Sequence, residues 1–311
     1  MRNLLIIAAL ACGPLAVFAQ NTPLVDSTAM PQLFAPGVVS TPYEEWATSF
    51  SPDGHTVYWS QGAVYWTLCS SVRSGDTWSK PKVLPFSGAW NDTDPFVSPD
   101  GQRLFFISNR PLDKTPGQAA SKFFHIWYVD RLASGEWSEP HHLEGPVNEN
   151  GVSNYAPCVT RSGNLYFCAR DRDGHTGMNG FCARWSGTAY ETPQLVTFSG
   201  VDGVQDPFVS ADEHYMVFVN GNDLYAAFHE DGAWSAAQKL GAAVNNGDGI
   251  SSPYVSRDGR RLYYSSNRIR GLYKRDRDHA LDYDGLTREL QSPLNGTGNI
   301  LVIPVHLPAT T

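Results

Sequence analysis

Apolar and polar positions alternate along this chain in short bursts, and the bursts recur. In the first copy Thr48-Ser49-Phe50 leads into Ser51-Pro52-Asp53-Gly54, and Val57-Tyr58-Trp59 follows at once. Ser98-Pro99-Asp100-Gly101 repeats that turn. Weaker copies are Thr160-Arg161-Ser162-Gly163, Ser210-Ala211-Asp212-Glu213 and Ser256-Arg257-Asp258-Gly259. The third turn positions, 53, 100, 162, 212 and 258, lie 47, 62, 50 and 46 residues apart. Pro and Asp suit the early positions of such a turn, and Gly supplies the positive φ that closes it. Runs rich in aromatic and β-branched residues on either side read as strands.

Each copy predicts four strands. The first ends at the turn, and the second follows it, as in Leu104-Phe105-Phe106-Ile107. The third is Val64 to Leu68 in the first copy and Ile126 to Val129, Gly180 to Ala183 and Leu224 to Ala227 in later ones. The fourth opens on an aromatic and reaches a Pro in three copies: Trp78 to Pro81, Trp137 to Pro140 and Tyr190 to Pro193; Trp234 to Ala237 is the other. Pro fits an outer strand, where an edge can lack a donor. The aromatics are expected to pack between repeats. Repeats of this length built from short strands predict an all-β protein, a β-propeller.

The fifth copy lacks its fourth strand. After Tyr264 come Ser265-Ser266-Asn267-Arg268 and an insertion, 269–298, with one short helix expected over 280–290; Asn299 to Ile303 is the third strand. The missing strand is expected from Gln32 to Ser40, which would close the ring and reduce its exposed edges. This gives five blades. A sixth would have to lie within the 62-residue spacing, whose excess fits one long loop from Asn109 to Ser121.

The first residues change the picture of where the chain works. A basic start, an apolar run from Leu4 to Ala11 and the small residues of Val17-Phe18-Ala19 read as a signal peptide, 1–19. A lipidated Cys12 is the rival reading. The remaining chain divides into an N-terminal extension, 20–33, and one propeller domain, 34–308. The expected setting is periplasmic or secreted, with no membrane-spanning segment in the mature chain. With 23 basic and 31 acidic residues, net −8, and no Lys/Arg cluster, nucleic acid is not an expected partner. Cys168 and Cys182 bracket a loop between neighbouring strands. Either they are bridged, or Cys69, Cys158, Cys168 and Cys182 are all small buried residues.

The run Pro95 to Gly101 with Ser108-Asn109-Arg110, and Pro253 to Gly259 with Ser266-Asn267-Arg268, resembles the WD-like Pro-Asp repeats of TolB-like β-propellers. The resemblance covers about Phe34 to Val305. It implies the fold and leaves the function open, because propellers host binding modules and several enzyme classes. The family's namesake is similar to a six-bladed ring with an added N-terminal domain. This chain has neither feature, so no envelope role is carried over.

In a propeller the Ser-Pro-Asp-Gly turns share one face. The blade-to-blade loops and the loops after the second strands share the other, around the channel mouth, where a site is expected. The ligand-binding candidates there are Glu45, Asp94, Asp206, Asn109, Arg110, Arg170, His175, Asn267 and Arg268. Two positions before the first-strand aromatic, the five blades present Thr48, Asp94, Ala156, Asp206 and Ser252 towards the axis. Asp before Pro can instead cap its own turn, and the Arg of Ser-Asn-Arg can pair with an Asp of a neighbouring blade. The nine His residues show no metal spacing, and no nucleophile elbow or phosphate loop is present, so no metal or cofactor is expected. Two readings follow. One is a binding module for an envelope protein, peptide or glycan. The other is a five-bladed glycan-active hydrolase using Glu45, Asp94 and Asp206 as axial carboxylates. An axial-metal lyase or lactonase would need a ring of His or carboxylates, and no His falls at the inner-strand positions.

Overall fold

The computed structural model describes residues 24–62, 64–113, 117–148, 151–246, 249–267 and 272–310. The signal-peptide segment, Cys12 and Arg268 lie outside them. The chain is a five-bladed β-propeller. Blade 1 is built from Glu44–Phe50, Thr56–Gly62 and Thr67–Ser74 with the short outer strands Thr77–Trp78 and Lys82–Val83. Blade 2 holds Asp92–Val97, Arg103–Ser108, His125–Asp130 and His141–His142, and blade 3 holds Asn154–Val159, Leu165–Arg170, Met178–Ala183 and Gln194–Val196. Blade 4 holds Gln205–Val209, Tyr215–Asn220 and Asp223–Glu230, with Ala233–Trp234 and Gln238–Lys239 outside. Blade 5 holds Ile250–Val255, Arg261–Ser266 and Asn299–Pro304, and its fourth strand comes from the other end of the chain, Gln32–Leu33. Gln32 faces Val302 and Leu33 faces Leu301, so ten-residue-scale sequence neighbours play no part in closing the ring.

The turns follow from their residues. In blade 1 the Ser51 hydroxyl accepts from Thr56 N (2.9 Å), the Asp53 carboxylate accepts from His55 N (3.0 Å), and Gly54 takes φ +70°. Blades 2 and 5 repeat this with Ser98/Asp100 and Ser256/Asp258. Blades 3 and 4 depart from it together. Blade 3 has Ser162 where the others have Asp, and blade 4 has Glu213, at φ +60°, where the others have Gly. The Glu213 carboxylate reaches into the blade 3 turn and accepts from Thr160, Ser162, Asn164 and the Tyr166 hydroxyl at 2.5–3.0 Å. One irregular turn supplies the acceptor that the other lacks.

Two strand expectations are corrected. The third strand of blade 1 starts at Thr67; Val64 and Tyr65 project from the preceding loop, 88% and 63% exposed. The predicted fourth strands are split. Trp78 and Trp234 end a hairpin with the third strand, and the true outer strands resume after Pro81 and Ala237. In blade 1 Pro81 has no N–H to give the ladder, but blade 4 splits at the same place with Ala236 and Ala237, so the break does not depend on Pro. The aromatics pack against neighbouring elements as expected: Trp137 lies 6.2 Å from Tyr58 of blade 1, and Trp78 lies 5.6 Å from Phe34. The helix is Tyr283–Leu290, capped by Asp282, whose carboxylate accepts from Gly285 N. All four described cysteines are free thiols, so Cys168 and Cys182 are not bridged.

Candidate functional site

Each inner strand carries a β-bulge, and the bulged residue has a left-handed backbone: Ala47, Asp94, Ala156, Asp206 and Ser252, with φ between +46° and +53°. Ala47, and not Thr48, is therefore the blade 1 counterpart of Asp94. Phe50 aligns with Val97 rather than with Phe96, since each pairs at the strand end just before its turn (Phe50 with Val57, Val97 with Leu104). A bulge leaves one N–H outside its own ladder. Here that N–H points at the preceding blade in every case. Ala47 N donates to Ser265 Oγ (3.1 Å), Asp94 N to Ser60 Oγ (3.1 Å) and Asp206 N to Cys168 Sγ (3.4 Å). In blades 2 and 4 the second-strand position matching Ser60 is Ile107 or Val219, which cannot accept. There the bulged residue itself accepts: Ala156 N donates to Asp94 Oδ2 (2.9 Å) and Ser252 N to Asp206 Oδ2 (3.0 Å). The axial aspartates thus stand where the usual acceptor is missing.

Asp94 and Asp206 border a constriction of about 40 Å3, together with Thr48, Pro95, Pro157 and Pro253. Burial, and then the Asp206 charge, push the Asp94 carboxyl up to about 7; burial raises Asp206 as well. Two nearby carboxyls in so narrow a site cannot both ionise cheaply.

The other candidates do not join them. Glu45 aligns with Asp92 and Asn154, two residues before the bulge, and is fully buried. It accepts from Thr41 N (3.0 Å), the Thr41 hydroxyl and Gln61 Nε2 (2.8 Å), and burial raises it to about 7. Arg110 is also buried. Its guanidinium donates to Asp92 Oδ1 (2.7 Å), Ser108 Oγ (2.9 Å) and Phe86 O (3.2 Å), and lies 5.0 Å from the Phe106 ring. Arg172 does the same work in blade 3, donating to Asn154 Oδ1, Val147 O and Pro146 O between Phe167 and Phe181. The Asn109 carboxamide accepts from Asn91 N (3.0 Å). Among the described candidates, Arg170, His175 and Asn267 are the ones that stay exposed.

Sequence reading passed over a further pair of anchors. Asn148 and Asn245 each accept from the third-strand start (Ile126 N, 3.0 Å; Leu224 N, 2.7 Å) and donate back to Leu143 O or Leu240 O. The signal was present: Leu143-x-x-x-Val147-Asn148 and Leu240-x-x-x-Val244-Asn245 share one spacing.

The exposed apolar surface of the mouth face sits on blade 1. Tyr43 is 67% exposed and precedes Glu44, which pairs with Gly62; Val64 and Tyr65 are exposed in the loop just after Gly62. Trp46 and Trp66 are half-buried with rings 6.4 Å apart. Gly62 makes room for Trp66, since a Cβ there would lie 2.7 Å from the ring. The opposite, turn-bearing face also has a cavity, of about 630 Å3, where none was expected.

The sequence matches no protein-family model and no curated protein. Its fold is shared with solved propellers. TolB of Acinetobacter baumannii is 14% identical, with 86% of this chain and 55% of that chain covered and a TM-score of 0.48; this chain thus spans about half its length. The α-L-arabinofuranosidase of Lactobacillus brevis is 11% identical over 86% and 91% of the two chains, TM-score 0.52. The gluconolactonase XC5397 of Xanthomonas campestris is 9% identical over 92% and 98%, TM-score 0.47. At these identities the likeness concerns the fold. Among the described residues no helix is long and apolar enough to cross a membrane.

Proposed function

We propose that this protein is a non-catalytic binding module that engages a protein or peptide partner through the mouth face of blade 1. One observation carries the reading: Tyr43, Trp46, Val64, Tyr65 and Trp66 concentrate aromatic and aliphatic surface there. Contiguous exposed apolar surface rich in Tyr and Trp is the usual chemistry of interaction hot spots. The 269–298 insertion borders the same patch, since the Thr297 hydroxyl donates to Tyr43 O (2.8 Å). The signal-peptide pattern of Met1 to Ala19 supports a periplasmic or secreted setting, which N-terminal sequencing of exported protein tests by finding Gln20 first.

Hydrolysis of a glycan at the axis is less well supported. Such chemistry needs two carboxylates flanking a sugar. Glu45 is enclosed by Thr41 and Gln61, and Asp94 and Asp206 border room for a few waters rather than a sugar ring.

A photo-crosslinking residue at Tyr65, compared with one at exposed Glu139 on blade 2, tests the binding reading in the exporting cell. A discrete adduct at position 65 alone, lost in Val64→Ser with an unchanged melting temperature, is expected. Equal labelling at both positions, or none at 65, would overturn it.

A further inference from the structure

The cavity on the turn face lies at the far end of the channel from the blade 1 patch. Its floor is formed by Phe50, Phe96, Phe208 and Tyr254, and one wall follows the seam where blade 5 meets blade 1. That wall is aromatic: Phe34 lies 5.0 Å from Tyr263 and 5.6 Å from Trp78, and Phe50 lies 4.7 Å from Tyr263. Its volume, about 630 Å3, is within the usual range for small-molecule sites.

Four arginines line the same space, Arg73, Arg161, Arg257 and Arg261. Three aspartates line it as well, Asp53, Asp76 and Asp258. Two of these are committed to their own turns. Asp53 Oδ1 accepts from Ser51 Oγ and His55 N, and Asp258 Oδ1 accepts from Ser256 Oγ and Arg260 N. Asp76 approaches Arg73 only loosely, at 3.6 Å. On a chain of net charge −8, this lining is four positive against three negative. A guanidinium fork matches a carboxylate in shape as well as charge. A doubly charged phosphoryl group would meet the three aspartates at greater cost.

We propose that this cavity binds a singly charged amphipathic anion, a carboxylate carried on an aromatic or aliphatic body. The body fills the seam between blades 5 and 1, and the carboxylate meets the arginine rim. The site is separate from the blade 1 patch and stands or falls without it.

Calorimetric titration of the full chain with N-acetyl-phenylalanyl-phenylalanine, and with its C-terminal amide, tests this directly. The acid is expected to bind, with the amide about ten-fold weaker, the effect of one lost charge-assisted contact. The double variant Arg161→Gln/Arg257→Gln should weaken the acid and leave the amide unchanged, and Tyr65→Ser should alter neither. Equal affinity for acid and amide, or no heat from the acid up to about 1 mM, would overturn the proposal. The acid–amide comparison uses the unaltered protein, so it decides the matter even if the double variant folds poorly.

Discussion

Asp94 is the residue that changes meaning most between sequence and structure. On a list of residues it is an axial carboxylate; in the ring it accepts the N–H that Ile107 cannot accept. Asp94→Asn keeps that acceptor, whereas Asp94→Ala orphans the Ala156 N–H at a cost of about 1–3 kcal/mol. Denaturant unfolding at neutral pH should therefore rank Ala well below Asn, and equal stabilities would contradict the latch. The pH response has a definite sign. The folded value of Asp94, about 7, lies above the ordinary 3.8, so the fold favours the protonated acid. That stabilisation is complete below the unfolded value and is lost as pH rises through 7. Between about pH 5 and pH 8 the wild type should lose stability relative to Asp94→Asn; a constant difference across that window would refute the raised value. Glu213 has the opposite sign. Its four donors hold its carboxyl below the usual range against the burial that raises it. Its contribution is present above the unfolded value and lost as pH falls through the folded one. Glu213→Gly would relax the backbone at φ +60° yet leave the Thr160, Ser162 and Tyr166 hydroxyls without their acceptor. A melting temperature below wild type at pH 7 is expected despite the easier turn. Ser162 and Glu213 are visibly irregular in the repeat, but their mutual compensation is not, because Glu213 lies 47–53 residues from its partners.

At the level of the blade, recurring polar anchors tie each loop to the sheet behind it. Arg110 with Asp92 and Arg172 with Asn154 do this beneath the mouth face, and Asn148 and Asn245 do it at the third strands. The Ser-Asn-Arg motif was legible, but its expected partner is corrected: Arg110 pairs with Asp92 of its own blade, not with an Asp of a neighbouring one. What could not be read was depth: only the folded sheet places the Arg110 guanidinium against Phe106 and Trp127. Arg110→Met leaves Asp92 buried without its counter-charge, and about 3–5 kcal/mol of stability should be lost. Ligand binding by the protein that remains folded should be unaffected. A stable Arg110→Met variant with weakened binding would return Arg110 to the list of ligand contacts. Strand ends were the least legible parts. The Pro residues after Trp78 and Trp137 were visible in the sequence, yet blade 4 breaks its outer segment in the same way without Pro, so the break depends on which backbone groups face the third strand.

Across the whole molecule, closure is the main long-range event. Gln32 and Leu33 pair with Leu301 and Val302, and His306 N donates to Leu24 O (2.9 Å), so both ends of the chain hold blade 5. Val25 is buried in the same core. A chain beginning at Ala35 would expose a strand edge and its apolar face. Lower melting temperature and concentration-dependent association by light scattering are expected, whereas an unchanged monomer would show that the ring closes without this strand. The ring also separates two faces with different chemistry, an apolar patch on blade 1 and an aromatic, arginine-rimmed cavity on the turn side.

The all-β class, five blades, the turns and the strand that closes the ring are legible in the linear chain. These rest on local periodicity and turn chemistry, which act over a few residues and repeat, so a linear reading can detect them. What Glu45, Asp94, Asp206 and Arg110 do, and where open surface lies, emerges only once the blades are packed. A carboxylate or guanidinium has the same formula in a ligand site and in a latch. The difference is set by burial and by partners from other strands and blades, 16–62 residues away.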